Sequence, residues 1–505
     1  MKKDDTGNKI LPNWISNNMY RYPNRIAIIH GNKKITYADL YDSISKLAGG
    51  LTSLGIKRGD RVVLLLKNSP EFIISFFAVA WIGGITVPLN VQYKGLELKN
   101  YINDSKPKMI IALREMVSML NEITLSMQER ECVIISVPDG KNGFFSYGHL
   151  IEDSLPLKEI VNLLPQDNIL CQYSSGSTGQ PKKIVRNHSN LAAEAVNFCS
   201  TVDMTGNDKI LCIVPLFHAH GLGNCMLSSN YSGATLVILE DFNRRELLKT
   251  IQEEKITVFP GVPFMFKMLA DTPLKEEMTL SSLRLCFSAG APLPSNTFQK
   301  FFEKYGVFVR QLYGSSETGS VSINRSENIL ETAESIGVSM KNVEINIFDE
   351  NGNVLPHDEK GNIGIRSLAM IKGYEGLEER NKESFRDGYF FPGDMGKKDR
   401  IGNIYITGRK TQFINTGGNK VDPSDIEALL VTHPKVKEAV VVGLKSHSDE
   451  DVIKAVVVLN VQCEEKEIVE FCKGKIADFK IPRIVEFRNE IPRSPLGKVL
   501  KKYLC

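Results

Sequence analysis

The chain has 505 residues, 42% hydrophobic and 24% charged, which at roughly 150 residues per domain is enough for about two to four hydrophobic cores. This composition excludes a disordered or fibrous protein. The 62 Lys and Arg residues nearly balance the 59 Asp and Glu residues. A formal charge of +3 therefore gives no support for a surface that binds nucleic acid or anionic membranes.

The cysteines and the N-terminus predict a cytoplasmic protein. Nine cysteines are scattered without a Cys-x-x-Cys pair, which is typical of reduced thiols, and the charged start MKKDDTGNK does not resemble a signal peptide. Residues 72–89 form an uncharged run of 18 residues, the length of a membrane span. Because Gly83, Gly84 and Pro88 interrupt this run, it predicts a buried helix followed by a strand, and we expect no membrane span.

Short β-branched runs alternate with helical periods up to about residue 330. The predicted strands are 61–66, 108–113, 132–137, 169–173, 209–214, 235–239, 256–259, 283–287 and 307–312. The predicted helices between them include 41–54, 70–81 and 246–254. This alternation predicts an α/β fold with doubly wound, mostly parallel sheets covered by helices on both faces.

The pattern changes after residue 335. Short strands separated by Gly and Asx turns up to residue 407 predict an antiparallel or barrel-like section. The remaining part of the chain carries a helix from Pro423, strands at 439–442 and 454–459, and a helix at 465–471. These elements predict a small α+β domain at the C-terminus.

The stretch YSSGSTGQPKK, residues 173–183, is the most informative motif. A strand runs directly into glycines and hydroxyl side chains, which supply N–H and O–H donors, and two lysines add positive charge. The stretch departs from the Walker pattern because Lys182 follows Gln180-Pro181 and precedes another lysine. It predicts a loop that holds a polyphosphate and disfavours a P-loop kinase or GTPase.

Two further strands end in small residues, at the edge where open α/β sheets bind ligands. The strand at 283–287 runs into SAGAP (288–292), where a flat heterocycle can lie against backbone. The strand at 307–312 runs into YGSSETG (313–319), which offers an aromatic face and a carboxylate suited to Mg²⁺. The three strand ends together indicate a nucleotide site.

With these three motifs the chain resembles the adenylate-forming superfamily of acyl-CoA synthetases, carrier-protein adenylation domains and luciferase-like enzymes. The resemblance runs from about Tyr37 to Lys498 and includes three more motifs in the expected order: FPGD (391–394), GRKTQFINTGGNKVDPSDIE (408–427) and PRSPLGKVLKK (492–502). It implies a large AMP-binding domain over 1–408, a hinge at 409–411 and a small mobile domain over 412–505. We therefore expect ATP, Mg²⁺ and either coenzyme A or the phosphopantetheine of a carrier protein.

The resemblance also implies roles for individual residues. The phosphate-binding set is Ser174, Ser175, Gly176, Ser177, Thr178, Gly179 and Lys182, with Thr178 also assigned to catalysis. The adenine would be framed by Gly290, Ala291, Tyr313 and Gly314. Thr318 and Glu317 would approach the α-phosphate, with Glu317 acting in catalysis and as the metal ligand. Asp394 would bind the ribose hydroxyls, with Arg409 assisting at the domain junction. Lys498 would be the catalytic lysine, and Gly418 would line the route of the pantetheine thiol.

Three positions depart from the pattern of similar proteins. Thr411 stands where an Asp or Lys is usual at the hinge, and Asn362 stands where Glu is usual. Lys183 stands where the phosphate loop usually has Gly after Pro-Lys, a change that bears on how the loop closes. None of the three removes a predicted catalytic group.

The segment Phe217-His218-Ala219-His220 bears on the acyl substrate. An H-x-H pair can form half of a metal site, but no third ligand is near in the sequence. Amino-acid-activating members of the superfamily place an Asp after the aromatic residue, so the Phe-His arrangement implies a simple carboxylic acid. The resemblance also implies that His218 lines or gates the acyl site, and His218 is counted among the candidate catalytic residues. Residues 259–264, FPGVPF, are expected to form an adjoining apolar wall or part of the core.

Three functions follow as hypotheses. The first is an acid–CoA ligase that forms acyl-AMP and then acyl-CoA. The second is a free-standing enzyme that loads an acyl or aryl acid onto a carrier protein. The third is a nucleotide-binding protein without catalysis, which intact Lys182, Glu317, Asp394 and Lys498 argue against. The sequence does not select among fatty, aryl and dicarboxylic acids.

Overall fold

The computed structural model describes residues 9–93, 95–125, 132–138, 145–174, 182–272, 279–409, 414–416, 419–421, 423–445, 451–476, 478–494 and 497–505. The chain divides into two compact units. The first unit contains residues 1–345, 365–390 and 401–403, and the second contains 346–364, 391–400 and 404–505. Each of the nine cysteines is a free thiol.

Two sheets form the first unit. In spatial order, the described strands of the larger sheet are Val338–Ser339, Gly319–Ile323, Arg310–Ser315, Leu285–Ser288, Val258–Gly261, Lys209–Cys212, Thr235–Ile238, Ile26–His30 and Lys33–Thr36. Those of the other sheet are Phe145–Ser146, Val133–Val137, Met109–Leu113, Arg61–Leu65, Ile85–Pro88, Asn168–Ser174 and Lys182–Asn187. The central strands run parallel and the antiparallel pairs lie at the edges, so the predicted α/β class is confirmed.

The helices of this unit cover the sheets. Their bounds are Pro12–Arg21, Tyr37–Ser53, Pro70–Trp81, Gly95–Ser105, Val117–Leu125, Tyr147–Asp153, His188–Thr201, Ala219–Gly221, Ser228–Ser232, Arg244–Glu254, Pro263–Ala270, Ser295–Tyr305 and Glu378–Ser384, with a π-helix at Leu222–Leu227. In the strand Arg61–Leu65, Val62 and Leu64 enter one core while Val63 and Leu65 enter another. Side chains alternate between the faces of a strand, so this sheet is buried on both faces.

Residues 72–89 fold as the sequence predicts. Ser69 caps the helix Pro70–Trp81 by accepting a hydrogen bond from the Phe72 amide, and Pro70 occupies the first turn, where no N–H is needed. Gly83, at φ +73°, ends the helical segment and leads into the strand Ile85–Pro88. Across the part of the chain that the structure describes, every helix is too short or too polar to cross a membrane.

Antiparallel strands occupy residues 343–409, as the turn-rich sequence predicts. In the first unit Phe385–Arg386 pairs with Tyr389–Phe390. In the second unit Asp394–Lys398 pairs with Ile404–Arg409 on one side and with residues 361–362 on the other. Two strands contribute residues to both units: Val343–Phe348 and Gly361–Ser367.

The C-terminal part of the second unit is an α+β structure. Its strands are Val436–Lys445, Asp451–Leu459 and Ile484–Phe487, with a hairpin at Ile414–Thr416 and Asn419–Val421. Its α-helices are Pro423–Leu430 and Glu465–Cys472, with short 3₁₀ turns at Asp478–Lys480 and Lys501–Tyr503. Both faces of the three-stranded sheet are buried, because Val441 packs with the helices while Val440 packs with Ile491 and Leu504 from the C-terminal tail.

Candidate active site

The predicted phosphate loop joins two antiparallel strands. Asn168–Ser174 pairs with Lys182–Asn187, and Ser174 lies opposite Lys182 in the register. Residues 175–181 lie outside the described residues, and with them the predicted Ser175, Gly176, Ser177, Thr178 and Gly179. The two strands fix where the loop leaves the sheet and where it returns, at Lys182.

Tyr374 brings two of the predicted site residues together. The Lys182 ammonium lies 5.0 Å from the centroid of the Tyr374 ring, within the range of a cation–π contact. The Tyr374 hydroxyl donates a hydrogen bond of 2.9 Å to Glu317 Oε1. Burial and the neighbouring Glu317 carboxylate raise the pKa of Tyr374, so its hydroxyl keeps the proton that it donates. A lysine from the phosphate loop and the predicted metal ligand therefore contact one side chain.

The strand Arg310–Ser315 and the turn after it carry Glu317 and Thr318, which are both buried. The Thr318 hydroxyl donates to the Gly319 carbonyl at 2.9 Å and lies 3.2 Å from Ser315 Oγ. The Glu317 carbonyl accepts a hydrogen bond from the Ile371 amide at 2.9 Å, which fastens this turn to the segment that carries Tyr374. These bonds hold the Glu317 carboxylate in one place.

The predicted adenine-binding residues lie at the same edge of the larger sheet as Glu317 and Thr318. Gly290 and Ala291 follow the strand Leu285–Ser288, whose parallel neighbour Arg310–Ser315 carries Tyr313 and Gly314. Both Gly290 and Ala291 are exposed, and Gly290 has a φ of +89°, which favours glycine. Tyr313 is half-buried. Backbone and an aromatic side chain thus lie at this edge; their contact with adenine stays a prediction.

His218 lies beside an aromatic ring of the predicted acyl site. The ring of His218 lies 4.4 Å from that of Phe217, whose carbonyl accepts a hydrogen bond of 3.0 Å from Gln172 Nε2. Phe259, the first residue of the predicted wall, is fully buried, and Phe264, the last, is partly exposed.

His220 belongs to a hydrogen-bonded chain. Ser320 Oγ donates to Asn224 Oδ1 at 2.9 Å, which turns the Asn224 Nδ2 group toward His220 Nδ1, also at 2.9 Å. His220 Nε2 then donates to the Gly261 carbonyl at 3.1 Å. Burial lowers the pKa of His220 to about 4, and the hydrogen bond to Gly261 opposes that shift. The ring is therefore neutral at pH 7 and joins the His218 segment to the FPGVPF segment.

Asp394 and Arg409 meet in the second unit. They lie opposite each other on adjacent antiparallel strands, and Arg409 Nε donates to Asp394 Oδ1 at 2.5 Å. Asp394 is buried, whereas about half of the Arg409 side chain is exposed. The predicted ribose-binding pair is therefore assembled by strand register.

Lys498 lies in a small turn of the C-terminal tail. Arg493 and Val499 form an antiparallel bridge, and the Ser494 amide donates to the Lys498 carbonyl at 2.7 Å. The Lys498 amide in turn donates to Ser494 Oγ at 3.2 Å, and the Lys498 side chain is exposed. Gly418 and the hinge position Thr411 lie outside the described residues.

Sequence reasoning missed Tyr374, Asn224 and Ser320. Tyr374 contacts Glu317 across 57 positions of sequence, and Ser320 contacts Asn224 across 96. Such pairs leave no local pattern of spacing or periodicity. One available signal was the Gly-Tyr at 373–374, an aromatic residue beside a glycine in a turn-rich segment.

Comparison with known proteins identifies one enzyme family for both ends of the chain. The AMP-binding enzyme family matches residues 15–375, and its C-terminal domain matches 425–498. The chain is 30% identical to a long-chain-fatty-acid–CoA ligase of Bacillus subtilis (strain 168) over 98% of this chain and 94% of that protein. It is also 30% identical to a feruloyl-CoA synthase of an Amycolatopsis species, over 98% of both. Among solved structures, ATP-bound MatB from Rhodopseudomonas palustris superimposes with a TM-score of 0.88 at 27% identity, covering 98% of both chains.

Proposed function

The chain belongs to the AMP-binding enzyme family, and from this premise we propose that it activates a carboxylic acid with ATP and transfers the acyl group to coenzyme A. The relatives described above are acid–CoA ligases, which supports both substrates. The observation that carries the proposal is the joint contact of Tyr374 with Lys182 and Glu317. It brings a cation and a carboxylate from separate sequence motifs to one point of the fold.

The first step is attack by a carboxylate oxygen on the α-phosphorus of ATP. The bond from that phosphorus to the bridging oxygen breaks, and pyrophosphate leaves with the electron pair. Because acid and ATP are both anionic, the enzyme must offset their repulsion and stabilise the charge that develops on the leaving group. We assign this role to the ammonium groups of Lys182 and Lys498.

Glu317 is the residue assigned to hold Mg²⁺. Mg²⁺ is usually bound through one or two carboxylates together with substrate phosphates and water, so a single fixed carboxylate fits the ion. When bound, the ion supplies positive charge beside the phosphates. Tyr374 and the Ile371 amide fix the residue that would hold it.

The nucleoside is assigned to two sets of residues. Gly290, Ala291 and Tyr313 would frame the adenine through backbone and an aromatic face. Arg409 orients the Asp394 carboxylate by donating to Oδ1, and we assign that carboxylate to the ribose hydroxyls. A carboxylate accepts well from a pair of hydroxyl groups.

The acyl group is assigned to the region of Phe217 and His218. The neutral His220 joins this region to Gly261 by a hydrogen bond, so the aromatic and apolar groups on both segments keep a fixed spacing. Neither Phe217-His218-Ala219-His220 nor FPGVPF contains an Asp or Glu that could pair with a substrate ammonium, which suits a carboxylic acid without one. The same segments would exclude water from the acyl-AMP.

The second step is attack by the coenzyme A thiol on the acyl carbonyl, with AMP leaving. The proposal includes a hinge at 409–411 between a domain over 1–408 and a small domain over 412–505, and assigns Gly418 to the route of the pantetheine arm. A carrier protein with a phosphopantetheine thiol would serve the same chemistry. The acceptor is therefore one of the variables of the test.

The test measures exchange of labelled pyrophosphate into ATP with single fatty, aryl, dicarboxylic and amino acids. Acid-dependent exchange without coenzyme A, followed by acyl-CoA formation once it is added, is the expected result. Omission of the acid is the matched blank. Activity with a pantetheinylated carrier protein but not with coenzyme A would overturn the proposed acceptor. ATP binding without exchange for any acid would overturn the enzyme assignment.

A further inference from the structure

Lys183 lies at the return of the phosphate loop, at the position where similar proteins usually have glycine. Its Cα lies opposite that of Tyr173 in the register, so these two residues flank the base of the loop. Only 14% of the Lys183 side chain is exposed. An ammonium so far withdrawn from water needs compensating partners.

Lys183 has two carboxylate partners. Its Nζ lies 3.1 Å from Asp104 Oδ2, on the helix Gly95–Ser105, and 3.7 Å from Glu375 Oε1. Asp104 Oδ2 also accepts a hydrogen bond of 2.5 Å from the Tyr173 hydroxyl. One carboxylate oxygen therefore receives a donor from the strand that enters the loop and another from the strand that leaves it.

Arg61 completes this group, which we call the loop-base cluster: Arg61, Asp104, Tyr173, Lys183 and Glu375. Arg61 Nη2 lies 3.4 Å from Glu375 Oε2, and its Nη1 donates to the Ser105 carbonyl at 3.1 Å. The cluster contains two cations and two anions, so it balances its own charge. It joins the loop to the helix Gly95–Ser105, to the strand Arg61–Leu65 of the same sheet and to the segment around residue 374.

The sequence neighbours Lys182 and Lys183 contact the sequence neighbours Tyr374 and Glu375. Lys182 lies over the Tyr374 ring, and Lys183 pairs with Glu375. Fixing Lys183 therefore also limits where the backbone can carry Lys182. A glycine at 183 would lack both ion pairs.

We propose that Lys183 is a positioning residue, which holds the return of the phosphate loop through Asp104 and Glu375 so that Lys182 stays placed for the phosphates of ATP. The inference rests on the proposed function, in which this loop binds ATP. It assigns Lys183 no contact with the nucleotide.

The test compares Lys183→Met, Asp104→Asn and the double variant in the full chain. We expect each single variant to weaken ATP binding about three- to tenfold and to lower kcat as well, because Lys182, which is assigned to the charge that develops on pyrophosphate, is no longer held in place. The ATP affinity of the double variant should equal that of the single variant with the larger loss, because both changes break the same ion pair. Lys183→Arg should restore most of the affinity.

A salt series provides a readout that a purely structural role would not move. The carboxylates of Asp104 and Glu375 are about half exposed, so salt should screen the cluster. The ratio of ATP affinities between wild type and Lys183→Met should shrink as NaCl rises. The matched control is Lys209→Met, which removes an ion pair of the same 3.1 Å separation to Glu254, away from the loop, and should leave ATP affinity unchanged.

Two outcomes would overturn the inference. If Asp104→Asn leaves ATP affinity unchanged or improves it while Lys183→Met weakens it, Lys183 acts directly on the nucleotide. If neither variant changes ATP affinity, the cluster does not position the loop. Binding is measured by calorimetry with ATP and Mg²⁺ in the absence of acid. Failure of the proposed acid activation would instead appear as wild-type ATP binding without pyrophosphate exchange.

Discussion

Tyr374 combines two weak interactions at one buried position, and the Tyr374→Phe variant separates them. Phenylalanine keeps the ring under Lys182 but removes the donor to Glu317. A hydrogen bond to a buried charged group contributes about 1.5–3 kcal/mol. We expect Tyr374→Phe to raise the Mg²⁺ concentration needed for half-maximal pyrophosphate exchange about tenfold or more. Titration of Mn²⁺ into the ATP complex, followed by electron paramagnetic resonance, measures the same loss without turnover.

The chain contains a matched control for this variant. Tyr389 also donates to a glutamate, Glu344, and carries the Arg366 guanidinium 4.7 Å from its ring centroid. Tyr389→Phe therefore removes a Tyr-to-Glu hydrogen bond outside the candidate site and should leave metal dependence unchanged. Equal metal dependence of Tyr374→Phe and wild type would contradict the role given to the Tyr374 hydroxyl.

His188 makes folding stability depend on pH. The residue is buried, and its Nδ1 accepts a hydrogen bond from the Leu11 amide at 3.4 Å. Burial lowers the pKa of His188 from 6.5 to about 4. Between these values the unfolded chain binds a proton that the folded chain does not, so stability falls as pH falls from about 6.5 toward 4.

The variant His188→Asn keeps an acceptor for Leu11 and removes the titrating ring. From pH 7 to pH 5 the wild type should lose about 2 kcal/mol more of its unfolding free energy than the variant does. Urea unfolding at the two pH values measures the difference. Because His220 is common to both proteins, its own titration cancels. Parallel losses in the two proteins would show that His188 does not carry this pH dependence.

The π-helix Leu222–Leu227 packs against a buried ion pair. Arg186 Nη1 donates to Glu194 Oε2 at 2.6 Å, and both side chains are at most 1% exposed. A Cβ on Gly223 would lie 2.0 Å from Glu194 Oε1, so this element fits only without a side chain there. Glu194 also lies against Gly319, which directly follows Thr318. The ion pair thus supports the turn that carries Glu317.

Gly223→Ala tests that packing at the scale of the element. The added methyl must displace a buried carboxylate from its cation, and we expect a loss of about 3–5 kcal/mol of stability. In the background Arg186→Met with Glu194→Ala the charge and the clash are both gone, so the same substitution should cost less than about 1 kcal/mol. Thermal unfolding of the four proteins measures the two costs. Equal costs in both backgrounds would contradict the packing argument.

Across the whole molecule, local sequence signals predicted the helices and strands better than they predicted the contacts between them. Pro70–Trp81 was predicted at its observed bounds, and in the structure Ser69, Pro70 and Gly83 mark its ends. The helix predicted from Tyr41 begins at Tyr37, since the capping box of Thr36 and Asp39 was overlooked. The strand predicted at 307–312 is Arg310–Ser315, so part of the nucleotide motif lies within the strand itself.

The candidate site, too, contains residues that the sequence predicted and contacts that it did not. The resemblance implied both Asp394 and Arg409 as site residues, and in the structure strand register brings them into contact. Tyr374 and the partners of Lys183 were not predicted, because contacts between distant residues depend on tertiary packing. The second unit also includes 346–364 and 391–400, an arrangement that periodicity along the chain does not reveal.

Lys498 supplies the prediction that concerns the molecule as a whole, because its assigned role joins the C-terminal tail to chemistry at the nucleotide. Lys498→Ala should reduce acid-dependent pyrophosphate exchange about 10²–10³-fold, the loss expected when a charge that stabilises the transition state is removed. Thioester formation from supplied acyl-AMP should fall much less, since that step displaces AMP and needs no charge on pyrophosphate. Lys502→Ala is the matched control, because Lys502 is an exposed lysine of the same tail and its ammonium lies over the Tyr503 ring. Equal losses in the two half-reactions would contradict the role in adenylation, and an equal effect of Lys502→Ala would reduce Lys498 to a contribution from tail charge alone.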